Sequence, residues 1–294
     1  MPPSAETLLL HRAEAAADRL PPLLVAAERV AAAIQIGIHG RKRAGPGETF
    51  WQFRPYREGD PASKVDWRRS AKGDRLYIRE REWEAAQTVW LWRDASPSMD
   101  YRSHKNLTTK RERAEILLLA LAIVLVRAGE RVALLGGEPP TTTRAGIDRM
   151  AIALAHNHGA LGSTPGLPSA EGTVRYARFV AFGDFLDPVE ETATRLRAHA
   201  SRGVKGHLVQ VFDPAEETLP FAGRVRFEGP ESEGETLIER ADSLRDAYSE
   251  KLAAHRAGLA QTCSRLDFTF DTHRTDQPAS SALLPLFAAI GERD

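Results

Sequence analysis

Apolar residues fall into two kinds of segment that alternate along most of the chain. Short runs rich in β-branched and aromatic residues end at Gly, Asp or Ser, which is typical of buried strands. Longer segments have apolar residues three and four positions apart, which indicates helices. This alternation predicts an α/β fold, in which helices cover a doubly wound, mostly parallel sheet.

The same pattern gives approximate bounds for each element. The predicted strands cover residues 49–56, 76–83, 89–92, 131–135, 178–182, 207–212, 224–228 and 266–271. The predicted helices cover residues 5–20, 22–36, 110–128, 147–156, 188–200, 241–263 and 280–290. These elements divide the chain into an N-terminal helical segment (1–38), a small Arg- and Asp-rich β extension (39–86) and an α/β domain (87–294).

Composition narrows the functional classes. The chain has 294 residues, of which 42% are hydrophobic, enough for a sizeable core. Its 40 basic and 40 acidic residues cancel, so the overall charge does not point to nucleic acid or a membrane surface. Cys263 is the single cysteine, which excludes an intrachain disulfide and indicates a reducing compartment. Charged residues interrupt the apolar N-terminal stretch, so we expect no signal peptide, no membrane span and a cytoplasmic location.

The chemistry of the chain centres on residues 89–100. Val89 to Trp92 form an apolar run, and Asp94, Ser96 and Ser98 come after it, two residues apart. Such a run indicates a buried strand that leaves its sheet at the carboxyl edge, where open parallel sheets bind ligands. One carboxylate and two hydroxyls are hard oxygen donors, which suit Mg²⁺ better than a soft metal. The same residue types also cap turns, which is a second interpretation.

Two further aspartates are expected at the same edge. Asp184 and Asp213 each come just after a predicted strand, as Asp94 does. Because parallel strands point their carboxyl ends to one edge, these side chains should lie in one neighbourhood. We interpret Asp213 as a structural cap, with a role as an added ligand as the alternative.

Motifs of common enzymes are missing from the sequence. It contains no Gly-x-Ser-x-Gly elbow, no His-Glu-x-x-His motif and no dinucleotide-binding fingerprint. A phosphoryl-accepting Asp94 of the dehalogenase-like kind would need a second aspartate two residues later, where Ser96 stands. A binding module without catalysis of its own is therefore our first hypothesis. A metal-dependent hydrolase that uses the same acidic edge is the second, and a metal-free scaffold is the third.

Acidic and basic residues are densely interleaved between Arg54 and Arg81. Arginine and carboxylate groups pair bidentately, so we interpret this stretch as a structural ion network, with a docking face as the alternative. Asp60 and Asp66 should accept hydrogen bonds or ion pairs from nearby bases. Trp67 should pack against the body of the domain.

Several short segments occur here in a distinctive order. They are Gly-Glu-Thr-Phe, Arg-Pro-Tyr-Arg-Glu-Gly-Asp, Val-Asp-Trp-Arg-Arg-Ser-Ala-Lys, Leu-Tyr-Ile-Arg-Glu and Asp-Ala-Ser-Pro-Ser-Met, all between Gly47 and Met99. In this order they resemble the domain of unknown function 58 family of bacterial and archaeal proteins, with weaker similarity nearly to the end of the chain. The sequence departs from the family at Lys72, where arginine is usual.

The resemblance implies a von Willebrand factor type A-like fold with a metal-ion-dependent adhesion site. In such a site Asp94, Ser96 and Ser98 would bind the ion first, and Asp184 would be the second aspartate. A loop threonine before the strand that ends at Asp184 completes the family pattern, and Thr164 matches it best. The alternatives for that position are Ser163 and Thr173.

The resemblance also implies a cofactor and a partner. The ion would be Mg²⁺ or Mn²⁺, bound weakly in the free protein, and a carboxylate of a protein partner would complete its coordination. A frequent companion of the family is a MoxR-type AAA+ ATPase, which implies work on the assembly or maturation of other proteins. We therefore expect a non-catalytic protein-binding module with no nucleic-acid partner.

Overall fold

The structure, a computed structural model, describes residues 22–36, 50–57, 65–71, 73, 75–81, 87–156, 166–171, 173–229 and 234–291. The chain forms two units, one of Met1–Arg41 together with Gln87–Asp294 and a smaller one of Lys42–Ala86. The predicted helix at 5–20 and the residues Asp60, Ser163 and Thr164 lie outside the described residues. Within the described ranges, every helix is too short or too polar to span a bilayer.

Strands and helices alternate along the chain, as predicted. The strands are β1 (Phe50–Pro55), β2 (Tyr77–Arg81), β3 (Thr88–Arg93), β4 (Arg131–Leu134), β5 (Arg178–Gly183), β6 (Lys205–Phe212), β7 (Val225–Gly229), β8 (Gly234–Ile238) and β9 (Phe268–Arg274). The helices are α1 (22–36), α2 (Trp67–Ser70), α3 (Lys110–Arg127), α4 (Arg144–His156), α5 (Val189–Ala200), α6 (Pro214–Thr218), α7 (Arg245–Arg265) and α8 (Ala279–Gly291). Short 3-10 helices at Pro97–Asp100 and Ala241–Leu244 precede α3 and α7.

The larger unit contains a parallel sheet with the strand order β4-β3-β5-β6-β9. Each pair of neighbours in it is parallel. This confirms the predicted α/β fold with a mostly parallel sheet. The chain runs from β3 to β4 on one side and then places β5 on the other side of β3, so the strand order reverses between β3 and β5. In open α/β sheets, the crevice at such a reversal is the usual ligand site.

Helices cover both faces of this sheet, because alternate residues of each strand point to opposite sides. Val89 and Leu91 of β3 belong to a core cluster with residues of α1, α3, α4 and α8. Trp90, between them, lies in a second cluster with residues of α5 and α7. Every residue of α3 from Leu117 to Leu125 is buried in the first cluster. Burying one leucine side chain stabilises a folded protein by about 1.5–3 kcal/mol. The buried residues of the two clusters therefore hold the sheet in place from both faces.

Two elements of the larger unit differ from the sequence prediction. The predicted strand at 224–228 is β7, and it pairs antiparallel with β8, which the pattern did not predict. Residues 234–237 of β8 are all exposed, so the strand lacks the apolar alternation that marks a half-buried strand. The predicted helix at 241–263 begins as a 3-10 turn, and its α-helical part starts at Arg245.

The smaller unit pairs β1 with β2 in an antiparallel sheet and has α2 between them in sequence. Asp66 caps α2, since its carboxylate accepts a hydrogen bond from the backbone N of Arg69 at 2.8 Å. Trp67 is 64% exposed, so the prediction that it packs is wrong. The buried residue of this helix is Ser70, whose hydroxyl donates to the carbonyl of Asp66 and accepts from the backbone N of Tyr77.

Candidate functional site

The loop after β3 folds back on itself at Asp94. The backbone N of Asp94 donates to the carbonyl of Phe182 in β5 at 2.8 Å, which continues the sheet by one residue. Its carboxylate Oδ1 then accepts the backbone N of Ser96 at 2.8 Å, which is the local turn that aspartate favours. A 3-10 helix begins at Pro97 directly afterwards. The sequence of this turn therefore determines where the side chains of Asp94 and Ser96 point.

Arg111, in the first turn of α3, holds the same loop from the inside. Its Nη2 donates to the carbonyl oxygens of Ala95 at 3.2 Å and Ser96 at 3.1 Å. Its guanidinium also donates to both carboxylate oxygens of Asp100, at 2.5 and 2.8 Å. A planar guanidinium makes several such bonds in one geometry, so Arg111 clamps the two ends of the loop together.

A chain of hydroxyls connects this loop to the end of β5. Ser98 Oγ donates to Asp184 Oδ2 at 2.6 Å, and Ser96 Oγ lies 3.0 Å from Ser98 Oγ. A serine hydroxyl has one proton, so Ser98 accepts from Ser96 while it donates to Asp184. The structure thus brings Asp94, Ser96, Ser98 and Asp184 together at the strand-order reversal. Thr173 is buried and is not among the described residues that line this site.

Asp94 packs directly against Gly183, which has no side chain and precedes Asp184. A Cβ at Gly183 would lie 3.0 Å from Asp94 Cβ and 3.3 Å from Asp94 Oδ2. Asp94 and Asp184 are both 5% exposed. Burial, and then the charge of Asp184, raise the pKa of Asp94 to about 6, although hydrogen bonds from Ser96 act in the opposite sense. The two buried carboxylates therefore place negative charge in one region of the site. A bound cation would reduce the repulsion between them.

Lys110, the first residue of α3, supplies a positive charge beside Asp184. Its Nζ lies 3.0 Å from Asp184 Oδ2 and 2.6 Å from Glu216 Oε1. Burial disfavours the ammonium, but the two carboxylates outweigh this effect, and the pKa of Lys110 lies above its ordinary value. Lys110 therefore links the end of β5 to the short helix α6.

Asp213 is a structural cap, which confirms its sequence interpretation. Its Oδ1 accepts the backbone N of Ala215 at 2.8 Å, and its Oδ2 accepts the backbone N of Ser103 at 2.9 Å. Glu216 Oε2 accepts the backbone N of Asp213 at 2.8 Å, which completes a capping box. Both carboxylate oxygens of Asp213 are thus used by backbone groups rather than offered to a ligand.

The backbone at Asp184 is held from the side of α7. Gln210 Nε2 donates to the carbonyl of Asp184 at 2.8 Å, and Arg256 Nε donates to Gln210 Oε1 at 2.8 Å. His255 Nε2 lies 2.8 Å from the carbonyl of Phe185. Phe185 itself has φ 48°, a left-handed conformation that is costly for a phenylalanine. These contacts fix the turn that presents Asp184.

A cleft of about 740 Å³ opens over the four polar side chains. Its lining also includes an apolar wall, formed by Phe221 and the hairpin residues Val225 and Phe227, beside the charged residues Arg226 and Glu228. The rings of Phe221 and Phe227 meet edge to face with their centroids 5.6 Å apart. Leu186, two residues after Asp184, lines the cleft and is 55% exposed. The cleft therefore joins an acidic floor to an apolar wall.

The donor set at this edge is compatible with a hard divalent cation. Among the described residues, no group of three or more His, Cys, Asp or Glu side chains has an arrangement that would hold a metal. An ion here would thus depend on the hydroxyls of Ser96 and Ser98 as well as on Asp94 and Asp184. Mg²⁺ and Mn²⁺ accept carboxylate and hydroxyl oxygens, and Mg²⁺ keeps several waters when protein ligands are few.

Sequence reasoning missed the polar and charged residues that support the site, namely Lys110, Arg111, Gln210 and Glu216. The sequence does contain one signal for Lys110 and Arg111. They stand at the start of a helix whose later turns are apolar, and such a helix is buried against the sheet. Its N-terminal charges must then lie at the carboxyl edge, next to Asp94. Glu216 stands three residues after Asp213, which is the spacing of a capping box, whereas no comparable signal marks Gln210.

Comparison with known proteins identifies the family of the chain. A family model described as protein of unknown function DUF58 matches residues 52–258. Uncharacterized proteins of Mycobacterium bovis and Mycobacterium tuberculosis are 27% identical over 251 residues, which cover 79% of this chain and 76% of each relative.

Two solved structures are similar at a lower level. The conserved hypothetical protein BatB from Bacteroides thetaiotaomicron is 14% identical, with a TM-score of 0.40 over 71% of this chain and 100% of that chain. An uncharacterized membrane spanning protein from Vibrio fischeri is 11% identical, with a TM-score of 0.20 over 71% of this chain and 99% of that chain. By its match over residues 52–258, the chain belongs to the DUF58 family of proteins of unknown function.

Proposed function

We propose that this protein is a non-catalytic binding module of the von Willebrand factor type A-like class, which uses a divalent cation to hold a protein partner. The observation that carries the proposal is the convergence of Asp94, Ser96, Ser98 and Asp184 in one cleft at the reversal of strand order. Crevices at that position are where open α/β sheets bind ligands.

Asp94, Ser96 and Ser98 would hold Mg²⁺ or Mn²⁺ directly, and Asp184 would act through Ser98 or a water. Thr164 is the proposed loop threonine. The ion would supply a positive charge with an open coordination position, which a carboxylate of the partner fills. Few direct protein ligands mean weak binding in the free protein, because Mg²⁺ gives up its waters reluctantly.

The lining of the cleft supports a particular chemistry for the partner. A carboxylate suits the cation at the floor, and an aromatic or long aliphatic side chain beside it suits the wall of Phe221, Val225 and Phe227. We therefore propose a protein segment that presents an acidic residue next to an apolar one. By family resemblance, the partner is a MoxR-type AAA+ ATPase in the cytoplasm, and the process is assembly or maturation of other proteins.

Calorimetric titration with Mg²⁺ and Mn²⁺ tests the site. We expect weak binding to the wild-type protein and none to Asp94→Ala, because the variant loses the carboxylate that would hold the ion directly. Glu250→Ala, which removes an exposed acid on α7, is the control and should bind as the wild type does. Equal binding by wild type and Asp94→Ala at millimolar metal would reject the site.

Co-purification from native extract tests the partner. The partner should be retained in Mg²⁺ and lost both in EDTA and with Asp94→Ala. Retention under all three conditions would favour a metal-free scaffold. Turnover of a phosphate ester or diester that Asp94→Ala abolishes would favour the metal-dependent hydrolase instead.

A further inference from the structure

Lys110 brings a buried positive charge into the acidic edge. Its side chain is 1% exposed, and its Nζ contacts Asp184 Oδ2 at 3.0 Å and Glu216 Oε1 at 2.6 Å. A buried ammonium is costly without such partners, so these contacts are needed to keep it charged inside the protein. The same Oδ2 of Asp184 also accepts the hydroxyl of Ser98 at 2.6 Å. Lys110 and the hydroxyl chain therefore share one oxygen of the proposed cation site.

Because of this shared oxygen, the ammonium of Lys110 competes with a divalent cation for Asp184. An oxygen that already accepts from Lys110 and Ser98 has less electron density to offer a metal, and the positive charge of Lys110 repels a second cation nearby. We propose that Lys110 sets the affinity of this edge for divalent cations by neutralising Asp184 until a cation does so. The inference rests on the proposed function of the site.

Glu216 allows this exchange without expelling Lys110 from the interior. It already binds Nζ through Oε1, and its Oε2 is fixed by the backbone N of Asp213 at 2.8 Å. Its own carbonyl accepts the hydroxyl of Tyr248. When Asp184 turns to a cation, Lys110 keeps a complete, anchored carboxylate partner.

Lys110 offsets part of the negative charge at this edge, to which Asp94, Asp184 and Glu216 contribute. Without its positive charge, the attraction of this edge for a cation would be stronger.

Titration with Mn²⁺, followed by the electron paramagnetic resonance of the free ion, tests the proposal on the full chain. Lys110→Met should bind Mn²⁺ roughly tenfold more tightly than the wild type or better, because a nearby positive charge is removed. In EDTA the variant should melt at a lower temperature than the wild type, and Mn²⁺ should raise its melting temperature by more. Lys251→Met, which removes an exposed lysine of α7, should match the wild type in all three measurements.

The outcomes separate this inference from the proposed function. Lys110→Met with wild-type or weaker Mn²⁺ affinity, while Asp94→Ala abolishes binding, would overturn the role of Lys110 and leave the cation site standing. Binding by neither the wild type nor Lys110→Met would overturn both. Binding by Lys110→Met with none by the wild type would support the inference, since Lys110 would then be what excludes the ion.

Glu216→Gln keeps the proposal testable if Lys110→Met does not fold. This variant leaves the ammonium with Asp184 as its charged partner, and the Gln oxygen still accepts the backbone N of Asp213. Mn²⁺ affinity should fall roughly tenfold. Glu250→Gln removes an exposed charge of α7 and should leave the affinity unchanged. Equal affinity of Glu216→Gln and Glu250→Gln would overturn the proposal.

Discussion

At the scale of single residues, similar sequence contexts lead to different roles. Asp94 and Asp213 both come directly after a strand of the parallel sheet, and both lie 5% exposed or less. Asp213 gives its two carboxylate oxygens to backbone N–H groups, whereas Asp94 lines the cleft. The local turns are alike, because Oδ1 of each aspartate accepts a backbone N two residues later, from Ser96 or Ala215. The difference is tertiary, since Oδ2 of Asp213 also accepts the backbone N of Ser103, 110 residues away in sequence. A strand-end aspartate is therefore a candidate ligand only when the surrounding fold leaves an oxygen unused.

His207 gives a residue-scale prediction about pH. It is buried in β6 with Nδ1 2.8 Å from Thr269 Oγ1, and burial, assisted by the charge of Arg178, lowers its pKa from 6.5 to about 4. Between these values the unfolded chain binds a proton that the folded chain does not. The free energy of unfolding should thus be unaffected above pH 6.5 and fall by about 1.4 kcal/mol per pH unit as the pH drops towards 4.

Thermal melts at pH 7.5 and pH 5 measure this effect. The melting temperature of His207→Gln should fall less between the two pH values than that of the wild type. His273, whose pKa burial also lowers to about 4, still contributes its own loss in both proteins. His104→Gln, at an exposed position, should behave as the wild type. An unchanged pH response of His207→Gln would mean that folding does not lower the pKa of His207.

At the scale of elements, the pattern of apolar residues predicts a helix or strand correctly where that element is buried on at least one side. Helix α3 and the strands β3 to β6 match their predicted bounds within a few residues, because they carry long apolar stretches. Strand β8 escapes prediction because water covers nearly all of it. The hairpin residues that line the cleft belong to its partner β7, which the pattern did predict.

The short helix α2 gives an element-scale prediction. Asp66 accepts the backbone N of Arg69 at the start of this helix, which is an N-cap. Asp66→Ala should therefore lower the free energy of unfolding by about 1 kcal/mol, and Asp66→Asn should have little effect, because asparagine caps as well as aspartate. Urea unfolding of both variants followed by circular dichroism checks this. A loss of about 3–5 kcal/mol in Asp66→Asn would instead indicate the buried ion pair that the sequence suggested.

At the scale of the whole molecule, two separate cores share one sheet. The first is built on α1, α3, α4 and α8, and the second on α5 and α7. The crevice between β3 and β5 exists because the chain moves to α3 on one face after β3 and to α5 on the other after β5. Topology therefore places Asp94 and Asp184, 90 residues apart in sequence, side by side.

Core substitutions on the two faces test this arrangement. Leu118 in the first cluster and Leu259 in the second are both fully buried. Each change to alanine should lower the free energy of unfolding by about 2–5 kcal/mol. The double variant should lose the sum within about 0.5 kcal/mol, because the two residues belong to separate clusters on opposite faces of the sheet. Urea unfolding measures all three, and Leu237→Ala, at a half-exposed position of β8, should cost little. A double variant far from the sum would show that the two faces are coupled.

The α/β class, the parallel sheet and the strand-end positions of Asp94, Asp184 and Asp213 could all be predicted from the sequence alone. Each depends on local periodicity or on short-range turn chemistry, which a linear pattern records. The match to the family from Gly47 onward was also readable in the sequence.

Which charges meet at the edge of the sheet depends on the tertiary fold. Lys110 reaches Asp184 across 74 residues and Glu216 across 106, and no spacing in the sequence encodes such pairs. The local pattern of apolar and polar residues also could not predict that Trp67 is exposed or that β7 contributes to the apolar wall of the cleft. The physical reason is the same in each case: a buried or exposed environment is made by elements distant in sequence, and burial decides whether a charge must find a partner.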